Sequence, residues 1–556
     1  MIPRPTTFRI FPGLAAALLL GACASFTPDG GMAPVASRVS LELGKDTVKI
    51  TSAADELGAG ERVQALLAKP LTVDAAVQVA LLNNRGLQAE YNALGISEAD
   101  YVAATLPPIN PAVSLERALT EWEFGIERSL AVGLVKLATW PKRRAIAATS
   151  FEAAQYRAIE ATFRTAADTR RAFYEAVGAR QRAGFLERAR QTASLAAELT
   201  TKLGETGAAT RGAQARASAF YAEVSAELAK ARLDADRARE TLTRQMGLWG
   251  TAAADFKLPS SLPKLPKIRS VAEVEADAVR RRVDLIAARL ELDATAKELG
   301  LTNATRFLSV LELTGTGTTE WVRDDGETER EETGSLELHV EIPIWDFGET
   351  GRRRAVETYM QAVNRLVEQA VNVRSEAREA YRAYRATHDI ARQYQNRVIP
   401  LRNLIEEESL LEYNGMLIDI LDLLNTERET IDSNVAAIEA KRDFFIAEVD
   451  FQAALIGGGG SGGRSGAETG GAGAVADPGG HWGGTNPRPY PPGPSSGAQA
   501  RAPSSARASS PGASRPPRYP RPRPWPSPPC SRRSCRPPAL TTTRWSRSTA
   551  GRCPGA

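Results

Sequence analysis

Cysteine is nearly absent from this 556-residue chain: Cys23 stands near the N-terminus, Cys530, Cys535 and Cys553 near the C-terminus, and none lies between them. The long middle therefore holds neither a disulfide framework nor a thiolate metal site. Histidine is scarcer still. His339 and His388 are the only two in the body, too few for a metal centre that needs several clustered ligands. No run of 18 apolar residues occurs, which excludes a helical membrane span. No nucleophile elbow, phosphate-binding loop or dinucleotide fingerprint stands in a strand–turn–helix setting, so no catalytic residue is expected. Acids are almost missing from the last stretch: Gly457 to Ala556 holds 14 Arg, no Lys, and only Glu468 and Asp477, a charge of +12. The whole chain sums to +4, so the rest carries −8 (4 − 12), which argues against nucleic-acid binding by the body.

What is present begins with an address. Arg4 and Arg9 precede an apolar run from Gly13 to Leu20, the layout of a secretory signal. The run ends in Leu20-Gly21-Ala22-Cys23, which resembles a bacterial lipobox. The resemblance implies removal of residues 1–22 and a covalent lipid on Cys23, with no other cofactor expected. A plain signal cleaved near Ala24 is the alternative. Ala24 in place of Asp favours the outer membrane, by analogy with bacterial lipoproteins.

Residues 23–68 mix Gly, Pro, Ser and short apolar pieces and read as an extended arm. Leu71 to Ala104 is helical in pattern, with Thr72 as N-cap, and Pro107, Pro108 and Pro111 end it. Two strand-like runs follow, Asn110 to Leu119 and Glu123 to Val135. In the second, Phe124, Ile126, Leu130, Val132 and Leu134 share one parity and Arg128 is the exception. Trp140-Pro141 opens a helix predicted to run to about Leu203, Pro suiting a first turn. After GETGAAT, Phe220, Val224, Leu228, Ala231, Ala235, Ala238, Leu242 and Met246 form a helical stripe.

Beyond a proline-rich linker, 258–269, the plan repeats. Arg143-Arg144 corresponds to Arg353-Arg354 and Gly207 to Gly415, about 200 residues apart, the mark of an internal duplication. Residues 69–257 and 270–456 each read as helix, hairpin and long helical hairpin. From 457 onward Gly, Pro, Ser, Ala and Arg dominate, a composition that cannot form a packed core and that suits plain disorder or out-of-frame translation of a GC-rich gene.

The sharpest pattern is the second repeat's last strand. Leu336, Leu338, Val340, Ile342 and Ile344 alternate with polar residues, and an acidic loop, Arg323 to Gly334, precedes them. Four strands of about ten residues suit a membrane barrel in length, but lipid tolerates no open sheet edge, so closure needs several copies of the chain. On this reading the five apolar residues meet lipid, while Glu337, His339 and Glu341 meet water.

The lipobox, VDAAVQVALLNN, the hairpins, LATWPKRRA, IPIWDFGETGRRRA and the turn YNGMLIDILDLLNTERE together resemble the TolC-like outer-membrane efflux proteins, over about Leu71 to Leu455. The resemblance implies a mainly helical fold with a transmembrane β part. Three chains would each give four strands to a twelve-stranded barrel, continued by a coiled helical tunnel into the periplasm. It implies an exit duct in the outer membrane, lipid-anchored, working as a homotrimer with a periplasmic adaptor protein and an inner-membrane pump that supplies the energy. It implies a periplasmic gate of acidic rings. Two alignment registers are possible, Asp422 with Asn425 or Asp419 with Asp422. It also implies adaptor-docking tips at Gly207 and Ala208 and at Asn414, Gly415 and Met416. The competing expectation is a lipid-anchored periplasmic coiled-coil structural or adaptor protein without a pore.

Overall fold

The computed structural model describes residues 25–459, apart from 118–122, 251–255, 269–272, 309 and 325–326. The signal, the lipid site at Cys23 and the tail from 460 lie outside the described residues.

The segment read as an extended arm carries two helices, α1 (Ala33–Leu43) and α2 (Ala53–Leu67). Pro34 sits in the first turn of α1, and α2 opens on a full capping box between Ser52 and Asp55, which satisfies end donors reciprocally. Val35 and Val39, four apart, are fully buried against Tyr91 and Phe163. The arm is fastened ahead of them, where the Thr27 amide and hydroxyl both donate to the buried Glu98 carboxylate, at 2.7 and 2.5 Å.

The expected helix from Leu71 to Ala104 is two, α3 (Val73–Asn83) and α4 (Arg85–Thr105). Thr72 caps the first, accepting from the Ala75 amide at 3.1 Å. Asn84 leaves helical geometry (ψ 114°) and caps the second, its side-chain oxygen accepting from the Leu87 amide while its amide group donates to the Gln245 carbonyl at 2.8 Å. That break follows from the tendency of Asn to bond backbone locally.

A hairpin of β1 (Ile109–Arg117) and β2 (Glu123–Gly133) runs directly into α5, Leu134–Glu205. Its 72 residues span about 108 Å at 1.5 Å per residue. Pro141 is therefore inside the helix, not at its start. The residues before it, Leu134 to Trp140, are helical in their own right, and the Trp140 indole donates to the Ala104 carbonyl at 2.9 Å, pinning this stretch to the end of α4. α6 (Arg211–Gln245) returns alongside. All of its predicted stripe is buried except Ala235, which packs half-buried against the core.

The second half follows the same order: α7 (Val274–Arg281), α8 (Val283–Thr305), β3 (Val310–Asp324), β4 (Glu327–Glu341), α9 (Glu349–Gln393), α10 (Ile399–Asn414) and α11 (Ile420–Ile456). Between α9 and α10 a single π turn, Tyr394–Val398, is closed by the Ile399 amide on the Tyr394 carbonyl. Pro400 follows, and having no N–H it denies the Asn396 carbonyl its helical donor. The strands form one antiparallel sheet in the order β1-β2-β3-β4. Among the described residues no helix is long and apolar enough to cross a membrane.

The halves are joined in a core where Phe173, Val177, Leu242, Leu285, Tyr384 and Phe444 meet. Tyr174 stacks on Phe445 and Tyr384 on Phe451, with ring centroids 4.9 and 5.3 Å apart. The body ends later than its last helix. Gly457 to Gly459 lie against the protein, and a side chain at Gly458 (φ 125°) would come within 3.0 Å of the Phe163 backbone, so only glycine fits.

One buried ion cluster fixes the start of α8. Arg282 donates to both carboxylate oxygens of Asp284, at 3.0 and 2.7 Å, and to Glu376 of α9 at 2.7 Å. Burial opposes charge on Asp284, but the bidentate guanidinium outweighs it and holds the carboxyl below its usual range. Asp284→Asn should leave Arg282 with Glu376 as its one carboxylate partner and cost about 2 kcal/mol, the loss of a charge-assisted pairing, read as a lower denaturation midpoint. Because the folded-state value is depressed, this stabilisation is complete above the ordinary carboxyl value of 3.8 and is lost as pH falls through the lowered one. The gap between wild type and variant should hold from neutral pH to about pH 5 and close in stronger acid.

Candidate functional site: a two-faced sheet on paired helical tips

Residues directly opposite in an antiparallel pair share a face, so the register assigns every side chain of the sheet to one side. Val132 opposes both Ile109 and Leu313, and Leu313 opposes Leu338; Leu130 opposes Pro111 and Gly315, and Gly315 opposes Leu336; Leu311 opposes Val340. Further along the same side come Val113, Leu115, Ile126, Phe124 and Trp321. This face is mainly apolar, with Arg128, Arg330 and Glu332 as exceptions, and much of it is bare: Leu115 is 70% exposed and Leu336 77%. An exposed apolar surface of this extent marks an interaction with lipid or protein.

The opposite face is wet and of one sign. It carries Glu127 on β2, Glu312 and Glu320 on β3, and Glu329, Glu331, Glu337 and Glu341 on β4, with His339 among them. No Lys or Arg lies on it among the described side chains. From Leu311 to Trp321 β3 runs ten residue steps, about 34 Å of strand, or about 26 Å of height at a barrel strand's tilt. Phe124 and Trp321 form a tilted pair at one limit, centroids 5.5 Å apart. Trp345, 94% exposed, and Phe347 mark the other.

Two expectations for β4 need correcting. Ile342 and Ile344 are exposed but lie beyond the strand, which ends at Glu341. Pro343 cannot donate to a ladder, and its carbonyl instead accepts from the Phe347 amide at 2.8 Å. The acidic stretch from Arg323 to Gly334 is mostly strand rather than loop, since β4 begins at Glu327 and pairs with the Thr-rich β3. Both its faces are wet, so it lacks apolar alternation; Arg330 reaches over the Trp321 ring at 5.8 Å.

The passage from sheet to helix is built by Asp346-Phe347-Gly348. Asp346 accepts from the Thr350 hydroxyl and from the Gly348 and Thr350 amides, which hold its carboxyl below the usual range. Gly348 has φ 71°, and a side chain there would fall 2.2 Å from the Arg306 carbonyl oxygen. Arg352 and Arg353 bring the Glu349 carboxyl down to about 2.

At the far end each long hairpin turns in a Schellman arrangement. Gly207 has φ 82°, with the Ala208 amide on the Leu203 carbonyl at 2.8 Å. In the second tip the equivalent bond is Leu417 to Glu412, also 2.8 Å, and the left-handed residue is Met416 (φ 61°), with Gly415 right-handed at φ −78°. Gly207 thus matches Met416, not Gly415. Met416 is 92% exposed and Leu417 78%, so a strained position displays two bare apolar side chains.

The three gate candidates follow on α11. Asp419 is the N-cap, accepting from the Leu421 and Asp422 amides at 2.8 and 3.0 Å. Asp422 and Asn425 are exposed, three residues apart, while Leu424 between them packs on Phe220 and Val224. Sequence reasoning missed the neighbouring Arg428, which pairs with Glu223 of α6 and lies 5.7 Å over the Phe220 ring. An Arg in a charged helix gives no hint of a partner some 200 residues away.

No family model and no curated protein matches the sequence. Solved structures do match. The CmeC outer membrane channel of Campylobacter jejuni aligns at 17% identity and a TM-score of 0.61, covering 69% of this chain and 86% of that one. The MtrE outer membrane channel of Neisseria gonorrhoeae, in its open state, aligns at 19% and 0.56, covering 71% and 89%. CusC, described for conformational changes accompanying folding and transmembrane channel formation, aligns at 17% and 0.57, covering 70% and 92%. At these identities the likeness is one of fold: a mainly helical chain with a four-stranded sheet.

Met416→Gly should raise stability by about 0.5–1 kcal/mol, because only the left-handed strain is removed, whereas Gly207→Ala should lower it by about as much; thermal unfolding of the purified protein reads both.

Proposed function

We propose that three copies of this chain form an exit duct across the outer membrane, carrying cargo from an inner-membrane pump and a periplasmic adaptor to the exterior. The observation that carries this reading is the sheet: one bare apolar face, one acidic face, and an unpaired edge at each end. Twelve strands from three copies would satisfy every edge and put the apolar face in lipid. A periplasmic coiled-coil protein without a pore leaves that face unexplained. The long hairpins then form the periplasmic tunnel, with Gly207, Ala208, Asn414, Gly415 and Met416 at the tips where the adaptor docks. The lipid on Cys23 anchors the chain at the same membrane. The duct catalyses nothing; energy comes from the pump.

In this reading Asp422 of each copy points toward the tunnel axis and forms an acidic ring near the entrance, with Asn425 one turn on. Asp419 caps α11 and holds the ring's backbone in place. Like charges drawn together around an axis attract cations and bind divalent ones. The reading is tested by outer-membrane fractionation, heat-modifiable trimer migration and conductance in planar bilayers. Release from membranes on removing the lipid alone would rule it out.

Asp422→Ala should raise single-channel conductance or weaken block by divalent cations, and no change in either would remove Asp422 from the gate. The acidic face should make the duct cation-selective, and neutralising Glu312, Glu337 and Glu341 together to Gln should move the reversal potential in a salt gradient toward zero. An anion-selective wild type would contradict the assignment of that face to the lumen.

A further inference from the structure

Among the described side chains of the apolar face three are charged, Arg330 and Glu332, which pair with each other, and Arg128. Arg128 lies mid-way along β2 on the same side as Phe124, Ile126, Leu130 and Val132, and it is exposed. It takes part in no ion pair or hydrogen bond within the described protein. Its cross-strand neighbours on that side are Val113 and Gly317, and Gly334 lies next beyond. Two adjacent glycines leave a trough in an otherwise covered surface; a side chain at Gly317 would meet nothing within 4 Å. The nearest acid on this face, Glu332, is held by Arg330. An unpaired cation facing hydrocarbon is costly unless an anion reaches it. The position also lies four residues from the Phe124–Trp321 pair, on the side where a flexible arginine stem extends toward the headgroups.

We propose that Arg128, lying along the trough left by Gly317 and Gly334, binds the phosphate of an anionic membrane lipid. This rests on the apolar face meeting lipid, as in the duct reading. The guanidinium fork matches two phosphate oxygens at once, which an ammonium does not. The trough admits the first carbons of the acyl chains beside it, so the headgroup is drawn down toward the band and not merely attracted to its rim.

The test uses the full-length protein in detergent, titrated with phosphatidylglycerol or with a phosphate-free galactosyl diacylglycerol of the same acyl chains, and native mass spectrometry counts retained lipid. Wild type should retain phosphatidylglycerol in preference to the galactolipid. Arg128→Leu should fold normally and weaken that retention about tenfold, the loss of a charge-assisted bidentate contact. Arg128→Lys should fall between them, and Ser129→Ala, on the wet face, should match wild type. Equal retention by Arg128→Leu, or equal retention of the galactolipid, would overturn the proposal. Displacement of the lipid by inorganic phosphate at matched concentration would also overturn it, by revealing a site for free anions. Wild-type conductance in planar bilayers decides the duct reading separately, so the two failures are distinguishable.

Discussion

A β-sheet has two kinds of unfinished surface, its faces and its edges, and here both are unfinished at once. In water the apolar face is uncovered; in lipid the open backbone edges of β1 and β4 are. The closed ring of strands in a membrane proposed above would satisfy both demands at once. β4, an edge strand, carries Glu329, Glu331 and Glu332, and charge on an edge strand discourages unintended strands from joining it.

The helices carry the sheet without sharing its polarity problem. Each long hairpin buries a narrow stripe, Phe220, Val224 and Leu228 in the first half and Val373, Ala377 and Tyr384 in the second. The broad aromatic core lies between the tips and the sheet, where α5, α9 and α11 meet the linker that joins the repeats. Arg282, Asp284 and Glu376 sit within this region. Nearer the tips a second cluster, including Leu186, Phe220, Val224, Leu424 and Ile431, packs the two hairpins together beside the Arg428–Glu223 pair.

Much of this architecture could be read from residue order, for physical reasons that also explain the misses. A one-sided strand writes its alternation into the chain, so Leu336, Leu338 and Val340 were plain, as was the stripe from Phe220 to Met246. The extended reading of the arm failed because α1 and α2 bury only two apolar residues each, although the Ser52–Asp55 box was there to be seen. Pro141 suggested a helix start because proline suits a first turn; tertiary anchoring of Trp140 let the helix begin seven residues earlier. The sequence points to Gly415 as the turn residue because glycine is the usual left-handed residue, and nothing in composition says that Met416 takes that conformation instead. The acidic side of the sheet was legible only in part, since membership of a face needs the register between strands.

The π turn before Pro400 has a consequence of phase. A five-residue turn advances each residue by less than an α-turn does, so everything after it lags by about a quarter-turn. His388 and Ala391 are buried before the insertion and Ser409 after it. Ala391 and Ser409 are eighteen residues apart, five whole turns of an uninterrupted helix. Across the insertion they therefore lie on different azimuths. The long helix works as two gears on one shaft: the upper is keyed to the aromatic core, the lower is clocked round to face α11, and a single residue gained or lost at this point would re-aim the tip without disturbing the body above it.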